Sequence, residues 1–299
     1  MEAIDRVRIA CAQLEVSEGE CLEAFQERLG KTCRAASAQA ADFLLLPEYF
    51  SLHLLSTRAT LSPSEGIQTA ARENTDQINA CLARLAETYQ LCIIGGSQPI
   101  CTDLGLMNVC QVFMPTGLRA SQAKLHITPS EVTEWSIQGG DTLALIKTSK
   151  LSFGVQICYD IEFPEATKLL TQAGADLIFV PYCTEDIYGH HRVTICARAR
   201  AIENQVYIAT AGLVGELPRV PNMEAQYARS GVYSPIDIGL PEDGIVAQVA
   251  YSEDQLLITE LQLSLLRKIR EEGCVRPLDA QRNHLFALQK QSIKLRHYE

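Results

Sequence analysis

Cys158 is the residue whose position most clearly suits chemistry, because it ends an apolar, β-branched run that begins at Leu151. This run favours a strand, and Pro164 with the residues after it is typical of a first helical turn. The thiol is therefore predicted to lie on a tight connection from strand to helix. There we expect the backbone N–H of Tyr159 to face a substrate oxygen and the helix N-terminus to favour a thiolate. A free cysteine that is only a small buried apolar residue fits the same segment equally well.

Two more side chains follow strand-like runs and are candidates to act with Cys158. Glu48 comes after the apolar run that Pro47 ends, and Lys124 comes after a strand-like run and a turn. Hydrolysis of an unactivated amide needs a nucleophile, a group that takes and returns its proton, and a positive or hydrogen-bonding site for the oxyanion. Cysteine, glutamate and lysine fill these roles without a histidine. Taken singly, Glu48 fits a solvent-exposed strand end as well as it fits a catalytic role. Lys124, taken singly, is more typical of a surface charge than of a catalytic group.

The elements that must position these side chains alternate between strand-like and helix-like patterns. Strands are predicted at 7–14, 42–48, 91–97, 107–114, 143–148, 151–157, 175–181, 205–211, 231–235 and 244–249, and helices at 21–40, 76–89, 164–173 and 191–203. Both halves of the chain therefore predict strands packed on helices, and the strands are too many for one simple crossover unit. We expect an α/β protein in which a two-layer sheet sandwich carries helices on its outer faces.

The composition is that of a globular protein with a large core, since 47% of its 299 residues are hydrophobic and 21% are charged. No linker divides the chain, so we predict a single domain over residues 1–260. Residues 261–299 are interpreted as a C-terminal extension that makes dimer or partner contacts and ends in a polar, basic segment. The loops at 51–73 and 214–228 are expected to shape the substrate site.

The eleven cysteines favour a reducing cytoplasm over a disulfide framework. No basic segment followed by an apolar core opens the sequence, and many of the cysteines lie inside strand-like or helix-like runs. No Cys-x-x-Cys pair occurs, and the histidines show no ligand spacing except the adjacent His190 and His191. The sequence therefore predicts neither a metal nor a cofactor.

The charge and hydropathy pattern argue against two classes of partner. The formal net charge is −10, and no basic cluster longer than the one from Arg267 to Arg270 offsets it, which disfavours nucleic acid. No apolar stretch approaches the roughly 20 residues that span a bilayer. A small molecule is the remaining kind of partner that the sequence favours.

Four segments in order carry a resemblance to a known family. They are Leu44-Leu-Leu-Pro-Glu48, Lys124-Leu-His126, Gly154-Val-Gln-Ile-Cys158-Tyr-Asp-Ile-Glu-Phe-Pro-Glu165 and Arg198-Ala-Arg-Ala-Ile-Glu-Asn204. Together they resemble the nitrilase superfamily of carbon-nitrogen hydrolases, with a likeness that runs from about residue 7 to residue 249. The resemblance implies a four-layer αββα sandwich that commonly pairs into dimers, and hence a homodimer or higher homo-oligomer.

The resemblance also implies roles for the candidate residues. Glu48 would be the general base, Lys124 the cation facing the tetrahedral intermediate, and Cys158 the nucleophile that forms a thioester. Members of the family use a second glutamate on the loop after the lysine. Glu131 is the best match for that residue, and Glu134 is the competing candidate.

The residues after the nucleophile favour the amidase and carbamoylase branches. Nitrile-cleaving members typically have Trp-Glu there, whereas this chain resembles the amidases in having Tyr159-Asp160. Many of those amidases carry an arginine, suited to a substrate carboxylate, where this chain has Glu162. The replacement argues against a dicarboxylic monoamide and favours a neutral or cationic substrate, although a pair between Glu162 and Arg192 or Arg198 also explains the residue.

Four residues are predicted to bind the substrate. Cys183 follows another buried strand near the nucleophile in the family's fold, Tyr49 adjoins the base, and Tyr159 and Glu162 follow Cys158. His190 and His191 are expected to pack or to make dimer contacts.

The function predicted from these features is hydrolysis of the C–N bond of a small non-peptide amide or carbamoyl compound. The products would be a carboxylic acid and ammonia or an amine, formed through a cysteine thioester. The alternatives are a nitrilase that acts on a nitrile, and a non-catalytic binding protein with this fold.

Overall fold

The computed structural model describes residues 5–57, 62–220 and 222–282. Its helices are Leu22–Ala38 (α1), Pro63–Glu73 (α2), Thr75–Tyr89 (α3), Pro129–Thr133 (α4), Pro164–Gln172 (α5), Ile187–Asn204 (α6) and Leu263–Glu272 (α7). Short 3-10 helices cover Leu52–Thr57 and Cys158–Glu162. The strands of the first half are Arg6–Val16 (β1), Phe43–Leu45 (β2), Cys92–Ile94 (β3), Gln98–Thr102 (β4), Gly105–Phe113 (β5) and Arg119–Ala123 (β6). Those of the second half are Ile146–Lys147 (β7), Ser152–Val155 (β8), Leu177–Tyr182 (β9), Tyr207–Glu216 (β10), Ala225–Gln226 (β11), Gly231–Tyr233 (β12), Ile245–Gln248 (β13) and Gln255–Gln262 (β14).

The strands form two sheets that meet along one short pairing. The first sheet has the order β4-β5-β3-β2-β1, with β6 beside β5 and β14 beside β1. The second has the order β10-β9-β8-β7, and β11 and β12 also pair with β10. The sheets join where β1 runs parallel to β10, with Leu14 opposite Leu213.

Alternation along β1 shows how the layers stack. Val7, Ile9 and Cys11 belong to the core between the two sheets, whereas the intervening Ala10 and Ala12 face the core that contains α1 and α3. Successive side chains of a strand point to opposite faces, so one strand contributes to both cores. Helices α5 and α6 supply residues to the core of the second sheet.

Aromatic rings close the space between the sheets. The ring of Phe43 in the first sheet lies 5.7 Å from that of Phe153 and 5.9 Å from that of Phe179 in the second, measured between centroids. Helices therefore flank a pair of packed sheets, which confirms the predicted α/β fold of the four-layer αββα type.

The region 51–73, predicted to be a loop, contains regular structure. Its second half is helix α2, which begins with a capping box in which Ser62 accepts a hydrogen bond from the backbone N–H of Glu65 and the Glu65 side chain accepts one in return. Pro63 occupies the first helical turn, where its missing N–H costs nothing. The prediction was wrong there because this short capping signature was overlooked; residues 58–61 lie outside the described part.

The described residues after position 255 pack into the sheet and the core and do not form a loosely held tail. Strand β14 pairs antiparallel with β1 from Gln255 to Gln262, and Leu263, Leu266 and Ile269 of α7 are buried in the core between the sheets. The predicted boundary at residue 260 and the partner contacts of residues 261–299 stay predictions. Residues 283–299 lie outside the described part.

Candidate active site

Four side chains that are distant in sequence meet in one buried cluster. The Nζ of Lys124 donates hydrogen bonds to Oε1 of Glu48 at 2.8 Å and to Oε2 of Glu131 at 2.7 Å. Cys158 lines the same small cavity as these three residues. The exposed fraction is 1% for Glu48, 2% for Lys124, 4% for Glu131 and 6% for Cys158, so the cluster is nearly cut off from bulk water.

Glu48 is fixed by the backbone around the end of β2. It forms an isolated parallel bridge with Ser97, and the backbone N–H of Tyr49 donates to the Ser97 carbonyl oxygen at 2.9 Å. The neighbouring Gly96 has φ +58°, and an added Cβ would collide with the carbonyl oxygen of Pro47. Only glycine permits the chain to approach Pro47 this closely.

Asn108 of β5 connects Glu48 to Lys124. Its Nδ2 donates to Oε1 of Glu48 at 2.8 Å and to Oε1 of Glu131 at 3.3 Å, and its carbonyl oxygen accepts from the backbone N–H of Lys124 at 2.8 Å. The sequence analysis missed Asn108. An asparagine in the middle of a strand-like run was the available signal, because a buried amide there needs partners.

Glu131 owes its position to a second capping box. It occupies the third residue of α4, where Thr128 accepts from its backbone N–H and the Glu131 side chain accepts from the N–H of Thr128 at 2.9 Å. The hydroxyl of Tyr49 donates to its Oε1 at 2.7 Å. Glu134 is exposed. Of the two candidate glutamates, it is thus Glu131 that contacts Lys124.

Cys158 begins the 3-10 helix that precedes α5. Its φ is +48°, in the left-handed region, and Tyr49, which follows Glu48, has a φ of +54°. The Sγ atom lies 3.6 Å from the carbonyl oxygen of Cys183. Both residues hold conformations that side chains rarely adopt, a kind of strain that concentrates at functional sites.

Asp160 ties the turn of Cys158 to the segment of Lys124. Its carboxylate accepts from the backbone N–H of Ile157 at 3.1 Å, of Leu125 at 3.1 Å and of His126 at 2.7 Å. The ring Nδ1 of His126 lies 2.9 Å from the same carboxylate. The sequence analysis used Asp160 only as a marker of the amidase branch, and its side-chain role becomes visible once these segments meet.

The charges of the cluster divide unequally between the two glutamates. Burial raises the pKa of Glu48, although Lys124 opposes the shift. Burial would lower the pKa of Lys124, but the carboxylates of Glu48 and Glu131 raise it well above its usual range. Burial opposes ionisation of Glu131, yet Lys124 and the hydrogen bonds of Thr128 and Tyr49 lower its pKa. The ionised form is therefore favoured for Lys124 and Glu131, and of the two carboxyl groups Glu48 is the one whose protonated form is favoured.

The thiol of Cys158 keeps its proton in the resting site. Burial, followed by the Glu48 carboxylate, raises the pKa of this thiol well above its usual range, and the lysine only partly opposes the shift. Burial disfavours the charged form of the thiol, so the resting site gives no support to the prediction that the turn favours a thiolate. A base must remove the proton, and the carboxyl group of Glu48 lines the same small cavity as the thiol.

Two cavities meet at Cys158. The inner cavity has a volume of about 60 Å³ and is lined by Glu48, Tyr49, Lys124 and Asn222 among others. The outer cavity has a volume of about 630 Å³, and its lining includes Tyr159 and Glu162. Cys158 and Cys183 line both, together with Thr128, Ser130 and Glu185. All four predicted substrate-binding residues thus line one of the cavities or both.

Several of these residues also have partners within the protein. The side chain of Glu162 pairs with Arg192 at 3.4 Å, and Arg198 instead donates to the carbonyl oxygen of Asp243. The Sγ of Cys183 lies 2.9 Å from Oε1 of Gln226. Glu162 therefore takes the first of the two ion-pair partners considered for it.

His190 packs into an aromatic cluster, as expected. Its ring contacts those of Tyr182, Tyr227 and Tyr251, with centroids 5.6–6.1 Å away. Burial lowers its pKa to about 4, so the ring is neutral near pH 7.

Within residues 5–57, 62–220 and 222–282 the side chains form no cluster of three or more His, Cys, Asp or Glu residues that could hold a metal ion. In the same ranges no helix combines the length and the apolar character needed to cross a bilayer.

One family profile, described as carbon-nitrogen hydrolase, matches residues 8–271. Among curated proteins, the probable hydrolase YhcX of Bacillus subtilis (strain 168) is 37% identical over 283 residues, which cover 95% of this chain. The chain spans 55% of the length of YhcX. The omega-amidase NIT2 of Xenopus tropicalis is 29% identical over 269 residues, or 86% of this chain and 90% of that protein.

Among solved structures, an amidase from Nesterenkonia sp. AN1 is similar with a TM-score of 0.71 at 21% identity, covering 95% of this chain and 96% of the amidase. That structure shows covalent addition of the acetamide moiety of fluoroacetamide at the active-site cysteine of the amidase. At this level of identity the likeness shows a shared fold.

Proposed function

Since the chain belongs to the carbon-nitrogen hydrolase family and is an enzyme of that class, we propose that it hydrolyses a small non-peptide amide or carbamoyl compound. The observation that carries the proposal is the contact of Lys124 with Glu48 and Glu131 beside the Cys158 thiol, at the junction of the two cavities. The products are a carboxylic acid and ammonia or an amine. No cofactor enters the mechanism.

In the first half-reaction Cys158 is acylated. Glu48 takes the thiol proton, the sulfur attacks the amide carbon, and the C=O electron pair moves to oxygen. Lys124 and the backbone N–H of Tyr159 stabilise this oxyanion. The C–N bond then breaks, ammonia or an amine leaves with the proton from Glu48, and a thioester remains on Cys158.

In the second half-reaction water hydrolyses the thioester. Glu48, again ionised, takes a proton from the attacking water and returns it to the departing sulfur. The raised pKa of Glu48 suits both directions of transfer, because a catalytic group works best when its pKa lies near the working pH. Glu131 contributes by holding Lys124 charged and in place, and Tyr49 holds Glu131.

The names of the relatives support an amide as substrate. The relative from Xenopus tropicalis is an omega-amidase, and the Nesterenkonia enzyme is an amidase with a reactive active-site cysteine. Tyr159-Asp160 after the nucleophile points the same way. Neither relative assigns a particular amide to this chain.

The test is a panel of amides, carbamoyl compounds and nitriles with released ammonia as the readout, and mass spectrometry of the quenched enzyme for an acyl adduct on Cys158. We expect turnover of amides, an adduct on the peptide that contains Cys158, and loss of both in Cys158→Ala. Cys21→Ala, at an exposed thiol, is the matched control.

Three results would contradict the proposal. Ammonia release that persists in Cys158→Ala would exclude the cysteine mechanism. Turnover of nitriles without amides would identify a nitrilase. Absence of any turnover or adduct in the folded protein would favour a binding protein.

We also propose that the enzyme is a homodimer or higher homo-oligomer in a reducing cytoplasm. Exposed apolar side chains on α5 and α6, Leu169, Tyr188 and Ile195 among them, support self-association. All eleven cysteines are unpaired, as a reducing compartment would keep them. Light scattering of the wild type and of Ile195→Asp, and a count of free thiols after native purification, test the two parts.

A further inference from the structure

The outer cavity has an acidic wall. Its lining includes three carboxylates, those of Glu162, Glu185 and Asp186. Among the lysines and arginines of the described residues, only Arg192 lines this cavity. The Arg192 guanidinium is already paired with Glu162 and its side chain is 63% exposed, so its charge is largely screened by water. The wall is therefore negative on balance.

Glu185 is the carboxylate that the protein leaves uncompensated. Among the described residues it forms no hydrogen bond or ion pair, whereas Asp186 caps α6 by accepting from the N–H of Gly189 at 2.7 Å. Burial and then three carboxylates, those of Glu224, Asp186 and Glu134, raise the pKa of Glu185. Negative charges that repel one another on a cavity wall are stabilised by a positive ligand.

The inner cavity limits what reaches the sulfur. Its volume of about 60 Å³ compares with about 30 Å³ for one water molecule in the liquid, so it suits a terminal carboxamide better than a branched group. Asn222 is among the residues that line this cavity, and its Nδ2 atom is buried without a hydrogen-bond partner. A buried donor without a partner is uncommon, and a turn of this side chain toward the cavity would let the donor meet an acceptor such as an amide oxygen.

The two cavities constrain the substrate jointly. With its carboxamide in the inner cavity, the remainder of the molecule extends past Cys158 into the outer cavity. Glu185 lines both cavities and thus lies along that path. The first part of the acyl chain therefore passes an unpaired carboxylate.

We propose that the substrate is a primary amide whose acyl chain carries an ammonium or guanidinium group, bound by Glu185 with Asp186 and Glu162 on the outer wall. This inference rests on the proposed function and names its substrate class. Hydrolysis transfers the oxygen of water to the acyl carbon and releases ammonia, so the product acid keeps its cationic group.

The test compares three primary amides of matched chain length, with a cationic, a neutral or an anionic terminus, in a series of increasing length. Ammonia release gives kcat/KM for each. We expect the cationic amide to exceed its neutral isostere by about tenfold at low salt and the anionic amide to be the poorest substrate. A neutral or anionic amide that is preferred at every length would overturn this inference and leave the proposed function standing. No ammonia from any amide would overturn both.

Variants of Glu185 test the assignment. Glu185→Gln is expected to lower the ratio of kcat/KM for the cationic to the neutral amide about fivefold, and Glu185→Lys to invert the preference. Glu242→Gln, at an exposed glutamate outside both cavities, should keep the wild-type ratio. Circular dichroism checks that each variant is folded, and an unchanged ratio in both Glu185 variants would overturn the assignment.

Discussion

The charges of the inner cavity and those of the outer cavity are held in opposite ways. In the inner cavity Lys124 contacts two carboxylates, and those carboxylates accept further hydrogen bonds from Asn108 and Tyr49. On the outer wall, the charged groups among the described residues that raise the pKa of Glu185 are the carboxylates of Glu224, Asp186 and Glu134. The protein thus balances the charges to which the proposed mechanism assigns the chemistry, and it leaves unbalanced the carboxylate that we propose to meet the rest of the substrate.

Burial explains the contrast. An ion removed from water must be paired and hydrogen-bonded by the protein, because an uncompensated buried charge is strongly destabilising. An exposed carboxylate such as that of Glu185 is still solvated and tolerates the absence of a partner. The inner charges are therefore bound tightly to one another, and on the outer wall the carboxylate of Glu185 remains available to a ligand.

Removing the inner cation is the change with the largest expected effect. Lys124→Met would leave Glu48 and Glu131 as buried carboxyl groups without their counter-ion, and we expect a loss of about 3–5 kcal/mol in the free energy of unfolding together with loss of activity. Urea denaturation and ammonia release measure the two effects.

A double variant separates stability from catalysis in this site. Lys124→Met combined with Glu131→Gln should recover part of the stability, since one carboxylate no longer needs a counter-ion, and should stay inactive. A single Lys124→Met variant as stable as the wild type would contradict the view that the inner charges depend on one another.

Asp160→Asn is expected to have the next largest effect. An amide oxygen cannot replace a carboxylate that accepts from Ile157, Leu125 and His126, so we expect a loss of about 1–3 kcal/mol in stability and a fall in kcat of about tenfold. Because the residue positions the catalytic segments without contacting substrate, KM should change less than kcat. Asp103→Asn at an exposed position is the control. Equal changes in kcat and KM would contradict a positioning role.

Salt and pH should act on different cavities. At about 1 M salt the screening length is about 3 Å, so KM for a cationic amide should rise severalfold while kcat changes little.

As the pH falls, kcat/KM should decline as Glu48 gains a proton, with a midpoint above the ordinary glutamate value because burial raises this pKa. An acid limb in the range of an exposed glutamate would argue against Glu48 as the base.

The smallest effect is expected at the outer wall. Glu162→Gln breaks an ion pair whose arginine is largely exposed, and we expect the free energy of unfolding to change by at most about 0.5 kcal/mol. A loss as large as that of Lys124→Met would erase the difference between the two cavities.

The layers of the fold follow from patterns that are visible in the sequence. The alternation in β1 and the apolar runs of β2, β8 and β9 predict buried strands, because side chains on a strand face two sides in turn. Helix α2 and strand β14 escaped prediction. The first depends on a short capping box, and the second has a strand-like apolar run, Leu256-Leu-Ile258, that was overlooked.

The sequence predicts which residue types form the site, but it does not predict the contacts between their side chains. Glu48, Lys124 and Cys158 were found from strand ends and from resemblance, and the capping box at Thr128 was a signal for Glu131. The link through Asn108 depends on how β5 lies beside its neighbours, which no local pattern encodes. The thiol's protonation likewise depends on burial, and burial is a property of the assembled layers.

The left-handed backbone at Cys158 reverses a familiar rule of protein stability. Glycine ordinarily destabilises a folded chain relative to alanine because it is more flexible when unfolded, but at a φ of +48° any side chain is strained and glycine is not. Cys158→Gly should therefore fold at least as stably as Cys158→Ala. Glycine is the residue that the backbone alone would favour at this position, so the cysteine there has a cost in conformational energy, and its proposed role as nucleophile explains why the chain retains it.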